Sequence, residues 1–301
     1  MKILLLGKDG QVGWELQRSL SVLGEVEAVG RSQLDLADFA ALRRCVHEAR
    51  ADVIVNAAAY TAVDRAQADA ELARRVNAGA AGVLAEAACD SHAWLVHYST
   101  DYVFDGAKDA PYTEDDDSAP LSVYGATKYA GEQLIRESAG RHLILRTSWI
   151  FSARGRNFAK TVLRLAKEGA ALEVVADQWG APTSAALVAD ATALALYRIG
   201  HGGAQADALA GTYHLAASGC TTWHSYAQYV LELALEHGAQ LQTGPADVRA
   251  VRTEAQPGRA ARPRNSRLDT QKFCTSFDLR LPDWRYHVRR LVAELSAQGN
   301  L

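Results

Sequence analysis

Ile3-Leu4-Leu5-Leu6-Gly7-Lys8-Asp9-Gly10-Gln11-Val12-Gly13 is the stretch on which the fold turns. Four apolar residues in a row, ended by glycine, read as a strand buried on both faces. The helical spacing of Val12, Leu16, Leu20 and Leu23 begins at once and stops at Gly24. A strand that runs through a glycine turn into a helix lets backbone amides approach a pyrophosphate at the helix N-terminus. The spacing is G-x-x-G-x-x-G rather than G-x-G-x-x-G, so its weight comes from the strand–turn–helix setting. Gly7, Gly10, Gln11, Val12 and Gly13 are the candidate phosphate-binding residues, with a ligand-free glycine turn as the plain alternative.

Outward from this turn, short apolar runs alternate with amphipathic ones. Strands are expected at 26–29, 53–55, 94–98 and 143–145, and helices around Phe39-Leu42-Val46 and over 70–88 and 124–138. Such alternation predicts an α/β fold with a doubly wound, Rossmann-like parallel sheet. After about residue 150 the pattern loosens, with helices near 156–168, 186–199, 223–237 and 285–297 and strands near 172–176 and 212–216. We read 1–150 as a dinucleotide-binding domain and 151–301 as a mainly substrate-binding, smaller α/β domain, some later segments of which return to the first.

The 301 residues carry 32 basic and 35 acidic side chains, a formal charge of -3, which argues against nucleic acid or a membrane surface as partner. No run approaches the roughly 18 apolar residues of a membrane span. Cys45, Cys89, Cys220 and Cys274 are scattered without a CxxC pair, which suits a reducing, cytoplasmic setting and no zinc ribbon.

The second strand ends in Gly30-Arg31-Ser32, with no acid to bond a ribose 2′-hydroxyl; Arg31 suits a 2′-phosphate and leans toward NADPH, or else is a solvated arginine. Asp35-Leu36 stands where such folds place a carboxylate near adenine, although Asp35 also reads as the N-cap of the helix carrying Phe39. Small residues in Asn56-Ala57-Ala58-Ala59-Tyr60-Thr61 let a dinucleotide pass over Ala58, Ala59, Tyr60 and Thr61.

Tyr124-Gly125-Ala126-Thr127-Lys128 sets Tyr124 and Lys128 at i and i+4 on one helix face. An ammonium beside a phenol lowers the tyrosine pKa from about 10, which makes Tyr124 a proton donor to a carbonyl under reduction. Lys128 can also hold nicotinamide-ribose hydroxyls. Alone, this spacing reads as surface packing; beside the glycine loop it reads as catalytic. Thr100 and Asp101 end the fourth strand, where Thr100 can bond a carbonyl oxygen and Asp101 a sugar hydroxyl, an ST-turn being the alternative. Glu114-Asp115-Asp116-Asp117 reads as a solvated charge run.

These residues resemble the extended short-chain dehydrogenase/reductase superfamily and, within it, the dTDP-4-dehydrorhamnose reductase family. The resemblance rests on the glycine block to Leu16, on 55–64, Tyr98-Ser99-Thr100-Asp101-Tyr102-Val103-Phe104-Asp105-Gly106, Val123 to Lys128, Leu145-Arg146-Thr147-Ser148-Trp149, 177–183 and Arg262-Pro263-Arg264-Asn265-Ser266-Arg267-Leu268. It implies NADPH- or NADH-dependent reduction of a dTDP-sugar C4 ketone, the last step of dTDP-L-rhamnose synthesis. Gly10, Gln11 and Val12 would touch the pyrophosphate, and Asp35, Leu36, Ala59, Tyr60 and Thr61 would line the cofactor. Thr100, Tyr124 and Lys128 would be catalytic, with Asp101 and Trp149 on the sugar. The arginine-rich segment 259–267 suits a diphosphate, with Arg262 and Arg267 the candidates, or is a solvated basic loop. Some members of the family hold Mg2+ between acids at a dimer contact; Glu15 is present, but Ala186 stands where an acid is often found, so no metal ligand is assigned and a monomer or weak homodimer is expected. A dehydratase or epimerase of the same superfamily is the rival enzyme, disfavoured by Tyr102 where dehydratases tend to carry an acid. A regulatory subunit resembling those of methionine adenosyltransferase is the non-enzymatic rival, disfavoured by the intact Thr100, Tyr124 and Lys128.

Overall fold

The computed structural model describes residues 1–301 except 139, 256, 257 and 259. Five strands of the first half, β1 (Lys2–Leu6), β2 (Glu25–Val29), β3 (Val53–Asn56), β4 (Trp94–Thr100) and β5 (His142–Thr147), enter a six-stranded sheet. The sixth strand, Gly211–His214, comes from the second half and pairs with β5. From that edge the order continues β5-β4-β3-β1-β2, all parallel. The order therefore reverses between β1 and β3, and in open α/β sheets ligands bind at such a switch point, beyond the carboxyl ends of the strands.

Period-two alternation divides the core. Ile3, Leu5, Val55, Val96 and Leu145 face one layer, where they meet Leu16 and Leu20 of α1 (Gln11–Leu20) and Val188 and Leu196 of the helix Ala185–His201. Leu4, Leu6, Ile54, Leu95 and Ile144 face the other, against Leu42 and Val46 of α2 (Phe39–Ala49) and Leu84 and Ile135. The second half thus supplies an edge strand and a covering helix to the first half's sheet. Its own strands are short ladders, such as Glu173–Val175 on Arg249–Val251. No described helix is long and apolar enough to cross a membrane.

The single helix expected over 70–88 is interrupted. Ala70–Arg74 and Ala80–Asp90 are α-helical, but Arg75–Gly79 between them is a π-turn. The cause is Asn77, which is 1% exposed. Its Oδ1 accepts from Tyr60 N at 2.8 Å, and its Nδ2 donates to Tyr60 O and to Thr127 Oγ1, each at 3.1 Å. The widened turn brings this one side chain to both the loop after β3 and the helix Val123–Glu137, and π-turns are often found at functional sites.

Candidate active site

A cavity of about 580 Å³ opens at the switch point. It is lined by the glycine loop, the end of β2, the loop after β3, the end of β4, and Tyr124, Lys128, Trp149 and Trp223.

At the glycine loop, Gly7 has φ +89°, a left-handed conformation, and a Cβ there would meet the backbone of Ala57 and Ala58 at 2.7–2.9 Å. A Cβ on Gly13 would lie 2.0 Å from the Gly7 carbonyl oxygen. Both glycines are thus demanded by close backbone approach. Gly10 caps α1 without a side-chain bond, so the amides of the first turn face the cavity's phosphate end unpaired by the cap. The Gln11 side chain points elsewhere: its Oε1 accepts from Ser152 Oγ at 3.2 Å and Asn157 Nδ2 at 3.0 Å, tying the loop to the second half.

The helix Val123–Glu137, which carries Tyr124 and Lys128, starts at Ser122, whose Oγ accepts from Gly125 N at 3.2 Å. A Cβ on Gly125 would lie 2.1 Å from the Tyr102 carbonyl oxygen, so only glycine lets this turn sit against the end of β4. Tyr124 packs edge-on to Tyr102, ring centroids 5.8 Å apart. Burial pushes the Tyr124 phenol up to about 12, while the facing Thr100 hydroxyl pulls it down. This corrects the expectation of a phenol lowered by Lys128. The Lys128 amine is turned away, donating to Tyr98 O at 2.5 Å and lying 3.0 Å from His97 Nε2. Burial brings Lys128 down to about 8, opposed by Glu132. Tyr124 is therefore held as a protonated phenol.

Behind Lys128 stand polar groups that the sequence reading passed over. Asn56 Oδ1 accepts from Ala58 N at 3.2 Å, which turns Asn56 Nδ2 toward His97 Nδ1 at 3.1 Å. Burial, then the Lys128 charge, keeps the His97 imidazole neutral. One helical turn on, Glu132 is 0% exposed and takes Arg146 Nη2 at 2.7 Å, Nε at 2.9 Å and Ser99 Oγ at 2.5 Å. Burial opposes its ionisation, but these partners hold its carboxyl below the usual range.

Thr100 forms the ST-turn, its Oγ1 accepting from Tyr102 N at 3.2 Å, and it lines the cavity. It donates to Asp101 Oδ1 at 3.0 Å. Burial raises the Asp101 carboxyl to about 7 against bonds from Ser266 and Thr100. Trp149 has φ +48°, a strained conformation for a bulky residue, costing about 1–3 kcal/mol. It is stacked on Trp223 with centroids 3.6 Å apart, and a Cβ at Gly180 would come within 2.6 Å of its ring.

The family profile described as RmlD substrate binding domain matches residues 1–297. A dTDP-4-dehydrorhamnose reductase of Salmonella typhimurium is 49% identical over 299 residues, covering 98% of each chain. The chain belongs to the dTDP-4-dehydrorhamnose reductase family. Among solved structures, the Bacillus anthracis dTDP-4-dehydrorhamnose reductase in complex with NADP is 33% identical, with a TM-score of 0.86 over 97% of this chain and 98% of that one. The Thermus thermophilus UDP-glucose 4-epimerase, 19% identical with a TM-score of 0.79 over 100% of both chains, shares the fold.

For this family member, the structure brings Gly7, Gly10, Gln11, Val12, Arg31, Asp35, Leu36, Ala58, Ala59, Tyr60, Thr61, Thr100, Asp101, Tyr124, Lys128 and Trp149 to one cavity. Gly13 does not line it and packs under Gly7 instead. Asp35 is not the N-cap of α2: that is Asp38, whose Oδ1 accepts from Ala41 N at 3.0 Å, while Asp35 closes a local turn onto Ala37 N at 2.9 Å. Arg262 lies near Tyr102, outside the cavity lining, and pairs with Asp64 at 3.0 Å. Arg267 is outside the cavity, its Nε on Asn265 Oδ1 at 2.8 Å and its Nη2 on the Asp109 carbonyl. Arg259 lies outside the described residues. The 114–117 run is only partly solvated, because Glu114 Oε1 accepts from His214 N at 2.7 Å and Asp116 pairs with Lys108 at 2.6 Å. Glu15 faces Arg18 at 3.7 Å, and no cluster of three metal-ligating side chains occurs among the described residues.

Proposed function

We propose that this chain reduces the C4 ketone of dTDP-4-dehydro-L-rhamnose to dTDP-L-rhamnose, with NADPH or NADH as cofactor. The observation that carries the reading is that Thr100, Tyr124 and Lys128 share one cavity with an unobstructed helix N-terminus. The glycine loop, whose close backbone packing tolerates no Cβ at Gly7 or Gly13, leaves the first turn of α1 open to a dinucleotide diphosphate. Arg31 and Asp35 would take its adenosine end, and Lys128 its nicotinamide ribose.

When bound, the nicotinamide supplies hydride equivalents to the ketone carbon. Tyr124, kept protonated by burial, gives its proton to the oxygen that gains charge. Thr100 Oγ1 faces the same phenol, and turning its proton away from Asp101 Oδ1 would let it donate to that oxygen. Lys128 is held by Tyr98 O and His97, so it reaches the ribose from a fixed stem. Trp149, stacked on Trp223, borders the cavity and would give a deoxysugar an apolar wall. Four free thiols suit a cytoplasmic enzyme.

The test is incubation with NADPH or NADH and dTDP-4-dehydro-L-rhamnose, with the sugar product identified by NMR. Stoichiometric cofactor oxidation with appearance of the 6-deoxy-L-mannose configuration is expected. Conversion without net cofactor consumption would point to an epimerase and defeat the proposal.

A further inference from the structure

At the end of β2 the chain has Gly30, where doubly wound folds often carry the acid that bonds the ribose 2′-hydroxyl. The structure supplies an acid to that place from a different loop. A Cβ built on Gly30 would lie 2.1 Å from Asp9 Oδ2 and 3.1 Å from Asp9 Cγ. Glycine at position 30 is therefore what admits the Asp9 carboxylate against the end of β2. The Lys8 stem lies alongside, its Cε 3.3 Å from the same point. Asp9, Gly30, Arg31 and Asp35 all line the cavity.

Asp9 is exposed and forms no ion pair of 4 Å or less with Lys8, Arg31 or any other described residue. An exposed carboxylate without an ion-pair partner keeps its acceptor oxygens for a ligand. A carboxylate accepts well from a vicinal diol and repels a phosphate dianion. Arg31, the next residue after Gly30, has the opposite preference.

We propose that Asp9 is a specificity-determining residue for the adenosine ribose of the cofactor. Its carboxylate takes the 2′-hydroxyl of NADH and opposes the 2′-phosphate of NADPH, offsetting Arg31, so that neither nucleotide is excluded. This rests on the nicotinamide-cofactor reading of the cavity and narrows it: the lean toward NADPH that Arg31 alone would give is balanced by Asp9.

The experiment is fluorescence titration of NADH and of NADPH, without sugar, into the full chain and into Asp9→Asn and Arg31→Ala. Asp9→Asn is expected to tighten NADPH and weaken NADH, moving the ratio of dissociation constants about tenfold toward NADPH. Arg31→Ala is expected to move it in the other direction by a similar factor. The Asp9→Asn shift should shrink at 0.5 M salt, as a charge effect on an exposed site does. A ratio within twofold of the unsubstituted chain in folded Asp9→Asn would overturn the proposal while leaving the reductase reading intact. Absence of binding by either nucleotide would overturn both. Normal binding and a normal shift, with no reduction of the sugar, would uphold the role of Asp9 and defeat only the assigned activity.

Discussion

Lys128 makes the most informative single titration in the molecule. Burial lowers its pKa to about 8, so it is an ammonium below that pH and an amine above it. If the ammonium holds the nicotinamide ribose, kcat/KM for the cofactor falls as pH rises through about 8. Lys128→Met should show a low, flat profile across that limb; persistence of the limb would assign it to another group. Trp223 matters at the same scale. It carries the ring of Trp149 while Trp149 sits in a left-handed backbone conformation. Trp223→Ala should raise KM for the sugar nucleotide while cofactor affinity holds, measured by titrating each ligand separately. At this scale the reading of the sequence was most complete where local spacing carries the information, as in the glycine loop and Tyr124–Lys128. It missed Asn77, His97 and Trp223, since a lone polar or aromatic residue within a helix or strand has no spacing signature. It also missed that Asp9 reaches Gly30, because that contact joins two loops across β1 and β2.

Among elements, the helix Val123–Glu137 is set in place by one glycine and one buried ion pair. Gly125→Ala would drive a methyl to 2.1 Å from the Tyr102 carbonyl oxygen, so the helix must shift away from β4. The expected result is a large loss of kcat with the fold kept, checked by steady-state kinetics beside circular dichroism. Glu132→Gln leaves the Arg146 guanidinium, 3% exposed, without its counter-charge. That costs about 3–5 kcal/mol, read as a lower denaturation midpoint. The wild-type carboxyl is held below its usual pKa, so its contribution is present above about pH 4.5 and is lost as pH falls through the lower folded-state value. Strand and helix positions in the first half followed from periodicity. The break at 75–79 did not, because a π-turn arises from what Asn77 bonds across the chain rather than from any propensity in Arg75–Gly79.

Over the whole molecule, the two halves are interleaved. Gly211–His214 closes the sheet beside β5, and Ala185–His201 covers α1. A fragment ending at residue 150 loses both, exposing Leu16, Leu20 and the β5 edge. It should show no cooperative thermal transition by circular dichroism, whereas the full chain should melt cooperatively. Residue 150 is therefore not a structural boundary of the sheet, and sequence periodicity had no means of showing that a strand near 212 pairs with one near 143.

The central claim is that Tyr124 donates the proton in reduction of the sugar ketone. The measurement that bears on it most directly is cofactor oxidation with dTDP-4-dehydro-L-rhamnose by the unsubstituted chain and by Tyr124→Phe, with nucleotide affinity measured on both. The account predicts steady oxidation by the former and a kcat about 10²–10⁴-fold lower in the latter, with cofactor affinity nearly the same. Turnover by Tyr124→Phe near that of the unsubstituted chain would contradict it.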